Sequence, residues 1–169
     1  MNKKTEFRRS IWEQNQHYKT KHSKINFDLI PIIDTIQSVE AAKKRTPPIP
    51  LNELVKIAEI SKNLPPPSKI TVKQFKELLN TFDCYGAGIK TIIAIIARVS
   101  KGKYPPIDKK ILAGLRRGDV ITEEEETALN GNTRRKIASI YVEKVLPKWR
   151  RELAKGKLPK DIDEEWARE

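Results

Sequence analysis

The run from Ile89 to Val99 constrains this chain more than any other stretch. Apart from Lys90, Thr91 and Arg98, every residue in it is isoleucine, alanine or valine. An element apolar on most sides belongs at the centre of a domain, with other elements packed around it. Isoleucine and valine also favour strands, so a buried strand is the competing assignment. The length of the run, the lysine near its start and the turn before it favour a helix from Ile89 to about Lys101. The run is much shorter than the roughly 20 apolar residues needed to span a bilayer, and Lys90 and Arg98 interrupt it.

The preceding turn is Gly86-Ala87-Gly88. Two glycines spaced by one residue permit positive φ and a sharp bend. A helix that starts out of such a turn points free N–H groups and its positive dipole end outward. That is an anion site, and a nucleic-acid phosphate fits it.

The flanking segments also read as helices. Asn26 or Asp28 is placed to cap a helix ending near Lys44, with Pro31 in its first turn. Leu51–Lys62 is a further helix between two stiff proline connectors, Arg45-Thr-Pro-Pro-Ile-Pro and Pro65-Pro66-Pro67. Thr71 caps a helix from Val72 to about Phe82. Asp108 is placed to cap Lys109–Arg117, and Thr122 to cap Glu123–Leu129. Thr133 then opens a long helix to about Ala154 that Pro147 should kink. The segment from Asp161 ends in a turn pinned by Trp166. Near the N-terminus, Phe7, Ile11 and Trp12 share one face of a helix over Thr5–His17; Trp12, His17 and Tyr18 could instead stack on a base. The sum is an all-α fold: one orthogonal bundle of about seven or eight helices in a single domain spanning residues 1–169.

Charge narrows the partner. The chain carries 34 Lys and Arg against 22 Asp and Glu, a net charge of +12. From Cys84 to Gly118 eight basic residues face one acid, Asp108, and from Thr133 to Lys160 ten face two. Such an excess suits a polyanion bound through counterion release, although a scatter of solvated lysines is the plainer reading of charge alone. The single cysteine, Cys84, excludes an internal disulfide and an iron-sulfur cluster held by four cysteines. With only His17 and His22 beside it, zinc is not expected. The first 25 residues lack the apolar centre of a secretory signal, so a cytoplasmic, nucleoid or nuclear location is expected, with no membrane partner.

The stretch Cys84-Tyr-Gly-Ala-Gly-Ile-Lys-Thr-Ile, with Tyr104-Pro-Pro-Ile-Asp108 downstream, resembles the helix-hairpin-helix of base-excision DNA glycosylases, the endonuclease III branch in particular. That family writes its hairpin roughly Leu-Pro-Gly-Val-Gly-x-Lys-Thr-Ala and follows it, one helix later, with an aspartate. The departures are Cys84-Tyr85 for Leu-Pro, Ala87 for Val and Ile92 for Ala. The likeness is good over the hairpin, about residues 72–101, and the loop after it, and loose elsewhere.

The resemblance implies a duplex-DNA-binding repair protein that removes damaged or mismatched bases and nicks the strand at abasic sites. It places Lys90 as the amine that attacks the sugar and Asp108, 18 residues on, as the catalytic carboxylate. Gly86, Gly88, Ile89, Lys90 and Thr91 would contact DNA, with Lys109 and Lys110 beside them. A monovalent cation held by hairpin carbonyls is compatible with it; zinc and iron are not expected. Two plainer roles stay open: Lys90 as a point charge on a phosphate, and Asp108 as a helix cap. A non-catalytic helix-hairpin-helix DNA-binding protein is therefore the alternative function. A basic RNA-binding helical protein ranks last, because no basic-aromatic RNA motif is present.

Overall fold

The computed structural model describes residues 28–44, 48–82 and 88–168. The helix expected over Thr5–His17 and the turn residues Gly86 and Ala87 lie outside these. The described residues form eight helices and no strand. They are α1 (Ile30–Ala42), α2 (Leu51–Lys62), α3 (Val72–Phe82), α4 (Ile89–Val99), α5 (Lys109–Arg117) and α6 (Glu123–Leu129). A continuous α7 follows over 134–154, and α8 spans Pro159–Ala167.

The Ile89–Val99 run is a helix, and α1, α2 and α3 all pack against it. Ile93 and Ile96 of α4 are fully shielded from solvent, and one hydrophobic cluster extends from Leu29 to Trp166. Burying each isoleucine stabilises by roughly 1.5–3 kcal/mol, so the least polar segment sits where most neighbours reach it.

Local chemistry fixes most helix ends. Thr71 and Thr122 each close a capping box, with Gln74 and Glu125 respectively reaching back to the cap N–H. The helix α4 ends by Val99 rather than Lys101. Lys101 and Gly102 take positive φ, and their N–H groups return to Arg98 and Ala97 carbonyls at 3.0 Å each. That closure satisfies carbonyls the helix leaves orphaned and turns the chain toward Asp108.

Three local expectations fail, two of capping and one of backbone conformation. Asp28 pairs with the Lys62 ammonium instead of capping α1, which starts at Ile30 with no side-chain cap. Thr133 makes no side-chain cap at the start of α7. Gly88 has φ −67° and ψ 157°, extended backbone open to any residue, so positive φ does not explain its glycine. In α7, the Pro147 constraint appears as a π turn over Tyr141–Val145 between Arg134–Ile140 and Leu146–Ala154. Proline has no N–H for the carbonyl four residues back and its ring crowds it; one wider turn relieves both.

The C-terminal segment is a full helix, α8. Its Trp166 packs edge-on against Trp149, with ring centroids 5.3 Å apart. α8 meets α5 at Gly114, where an added Cβ would fall 1.8 Å from the Trp166 carbonyl oxygen. Gly114→Ala is therefore expected to destabilise the fold by about 1–3 kcal/mol as α8 is pushed off α5. A fall in the denaturation midpoint at unchanged slope checks this; an unchanged midpoint refutes the close approach.

Candidate functional site

The start of α4 carries no side-chain cap. Its first backbone bond joins Ile92 N–H to the Gly88 carbonyl at 3.1 Å. Among the described residues no carbonyl accepts from the N–H groups of Ile89, Lys90 and Thr91, and Gly88 offers no side-chain cap. Ile89 is buried and anchors the turn, while Lys90 and Thr91 are half-buried and Gly88 is exposed. A Cβ built on Gly88 meets nothing within 4 Å. Neither backbone strain nor packing within the described residues requires glycine there.

Asp108 caps α5: its Oδ1 accepts from Ile111 N–H at 2.9 Å, and the residue is exposed. The structural role is thus real, and it aims the carboxylate from a rigid helix end. Three buried aromatics hold the loop that carries it. The Trp149 indole donates to the Gly102 carbonyl at 2.9 Å. The Tyr141 hydroxyl donates to the Pro105 carbonyl at 2.5 Å, and the Tyr104 hydroxyl to the Pro65 carbonyl at 2.6 Å. Burial pushes the Tyr104 phenol up to about 12 and the Tyr141 phenol well above its ordinary value, so both remain proton donors at any physiological pH. Tyr141 is itself clamped by Phe75, stacked at 4.5 Å.

Lys90 and Asp108 lie within electrostatic reach of one another. Partial burial lowers the Lys90 pKa first, and the nearby Lys109 ammonium lowers it further. The Asp108 carboxylate acts the other way, and Lys43 at the end of α1 adds to the lowering. The Lys90 ammonium donates to the side-chain oxygen of Asn130. Lys109 and Lys110 are exposed in the first turn of α5, where the helix dipole disfavours cations, so an outside anion suits them better than their own helix does.

Of the residues expected from sequence, Gly88, Ile89, Lys90 and Thr91 gather at the α4 N-terminus, with Asp108 and Lys109 acting on Lys90. Lys110 lies on the same first turn of α5; Gly86 lies outside the described residues. Lys43, Asn130 and Asp163 were not legible as site residues. Asp163 is half-buried on α8; burial raises its pKa, and the neighbouring charges of Asp108 and Glu164 raise it further. Among the described residues no group of three or more His, Cys, Asp or Glu is placed to hold a metal, and no helix is long and apolar enough to cross a membrane. The hairpin carbonyls that would hold a monovalent cation lie largely outside the described residues.

Comparison with family models, with curated proteins and with solved structures finds no match to this chain.

If the aromatic hydrogen bonds set the Asp108 loop, Tyr141→Phe should leave the Pro105 carbonyl unpaired in the core. A loss of about 1–3 kcal/mol in unfolding free energy is expected. Thermal or denaturant unfolding reads it, and a variant as stable as the parent shows that the bond contributes nothing.

Proposed function

We propose that this chain is a DNA-binding base-excision repair protein: a DNA glycosylase with abasic-site lyase activity in which Lys90 is the nucleophile and Asp108 its partner. One observation carries the reading. A half-buried amine with lowered pKa lies within electrostatic reach of an exposed, helix-capping carboxylate, beside a helix start with no side-chain cap. The resemblance of the hairpin to the glycosylase family supports the same assignment.

The chemistry follows from these positions. Phosphate oxygens of duplex DNA accept from the N–H groups at the start of α4, and Lys109 and Lys110 add charge. A base is turned out of the stack. As its bond to C1′ breaks, the electron pair leaves with the base, and the Asp108 carboxylate stabilises the positive charge developing on the sugar. The neutral Lys90 amine adds to C1′. Opening of the sugar gives an imine, and loss of a C2′ proton expels the 3′ phosphate and nicks the strand. Partial burial and two neighbouring ammoniums favour the neutral amine this requires.

The Lys90 hydrogen bond to Asn130 favours a second reading, a non-catalytic helix-hairpin-helix DNA-binding protein in which Lys90 is a held ammonium serving as a point charge. Borohydride trapping on abasic-site duplex separates the two. The wild type should form a permanent cross-link that Lys90→Ala abolishes and Asp108→Asn slows strongly. Other lysines trap aldehydes slowly, so the comparison among the three proteins decides; equal trapping by all three leaves only the binding reading.

The pH profile of trapping gives an independent check. The Lys109 charge depresses the Lys90 pKa, so Lys109→Met should raise it and move the profile to higher pH. Asp108 raises the Lys90 pKa, so Asp108→Asn should move the profile to lower pH while reducing the maximal rate. A profile indifferent to both substitutions removes Lys90 as the titrating nucleophile.

Duplex binding should weaken steeply with salt, through release of condensed counterions. Because no described residue lies within 4 Å of a Cβ built at Gly88, Gly88→Val should fold normally. It should nonetheless bind duplex DNA more weakly, since a side chain there keeps the phosphate backbone away from the helix start. Filter binding at several salt concentrations tests both; salt-independent binding, or full affinity in a folded Gly88→Val protein, refutes the hairpin contact.

A further inference from the structure

An open cleft of 620 Å³ lies between the end of α1, the middle of α4 and the start of α8. Its size is within the range of about 300–1,000 Å³ usual for small-ligand sites. Ala94 and Ala97 of α4 form a low floor, with Val39, Tyr104, Pro106 and Pro159 around it. Small side chains and rigid rings in one lining suit a flat apolar body. Lys43, Arg98, Lys101 and Lys160 stand exposed at its rim. Among the described residues none of these four enters an ion pair, whereas Lys144, Lys148, Lys155 and Lys157 all do. Four unpaired cations around one opening repel each other, and an anion there relieves them. One carboxyl, Asp163, also lines the cleft. It is half-buried, and an N–H donor facing it would offset the burial that raises its pKa.

We propose that this cleft binds a single nucleotide, with its base against Ala94 and Ala97, a base N–H on Asp163, and its phosphate among Lys43, Arg98, Lys101 and Lys160. A nucleotide supplies a flat apolar ring, a donor edge and an anion together. A fatty acyl chain would leave Asp163 facing hydrocarbon, and a metal ion would find one carboxylate among four cations. The same chemistry is offered by a free mononucleotide and by a nucleotide turned out of a duplex. The site does not depend on the Lys90 amine: a protein that traps abasic DNA but leaves the cleft empty keeps the proposed function, and one that fills the cleft but never traps keeps this inference alone.

Two arms test it. In the first, guanosine 5′-monophosphate, guanosine and inorganic phosphate are titrated calorimetrically. The monophosphate should bind, and each fragment should bind at least about tenfold more weakly. Ala94→Leu, which fills the floor, and the surface double variant Arg98→Glu/Lys160→Glu should each lose binding to a similar extent; Lys90→Ala should keep it. In the second arm a mismatched duplex carries one 2-aminopurine, whose fluorescence rises on unstacking. The wild type should raise it, and Ala94→Leu should not, at concentrations where both saturate the duplex. The surface variant keeps the test valid should Ala94→Leu fail to fold. A response in the first arm alone assigns the free nucleotide, and in the second alone the everted one. Silence in both arms, or a response undiminished in Ala94→Leu and in the rim variant, overturns the inference.

Discussion

The loop between α4 and α5 is the constraint on which the rest of the site depends. It must leave a nearly all-apolar helix, turn, and deliver Asp108 as the cap of the next one. Gly102 and Pro105 each accept a hydrogen bond from a buried aromatic on α7, and the buried Tyr104 donates to Pro65 in the connector between α2 and α3. Such bonds contribute modestly when made and cost more when one partner is left unpaired in the interior. The loop is thus fixed by elements remote in sequence, and the capping carboxylate inherits that rigidity. The π turn in α7 belongs to the same arrangement. It begins at Tyr141, the residue that holds Pro105, so the helix irregularity before Pro147 and the anchoring of the loop occupy one place.

Electrostatics divides the molecule into paired and unpaired regions. At the C-terminal end, buried Glu152 gathers Lys157, Lys148 and Lys155 within 2.6, 3.0 and 3.2 Å. Hydrogen bonds from Lys157 and then Lys148 hold its carboxyl down to about 2. A depressed carboxylate stabilises the fold above its ordinary range, and that contribution fades as the pH falls toward 2. There, positive charge is neutralised from within and serves stability. Around α4 and α5 the opposite holds. Burial lowers the Lys90 pKa, the Lys109 and Lys43 charges lower it further, and Asp108 opposes them. A protein of net charge +12 that neutralises its lysines at one end and concentrates unneutralised ones at another presents a directed surface, not a uniform coat.

Much of the helical framework was legible because its ends are written locally. The bounds of Leu51–Lys62, Val72–Phe82, Lys109–Arg117 and Glu123–Leu129 follow from caps and periodicity within a few residues. Where a polar residue had a distant partner, the local rule lost. Asp28 found Lys62 in place of its own helix end. Glu40 of α1 is buried and accepts from Ile49 N–H, in the proline connector, at 2.7 Å. Trp149 and Tyr141 are buried from α7, but their N–H and O–H groups point at carbonyls 47 and 36 residues away, which no local pattern encodes. Asp163 was hidden for the same reason: its significance is its nearness to Asp108 across the α5–α8 packing.

Gly88 sharpens the link between that framework and function. A glycine is ordinarily explained by positive φ or by a neighbour that leaves no room for Cβ. Gly114 meets the second condition through the Trp166 carbonyl, and Gly102 the first. Within the described residues Gly88 meets neither, yet it costs conformational entropy at the entry to the central helix α4 and supplies no cap where serine or aspartate would. The proposed function supplies a reason: with glycine at this exposed helix start, a DNA phosphate can come close to the first turn. In that reading the phosphate takes the place a side chain would fill and accepts from the N–H groups of α4. Lys109 and Lys110, set against the dipole of their own helix, would add their charge to the same contact.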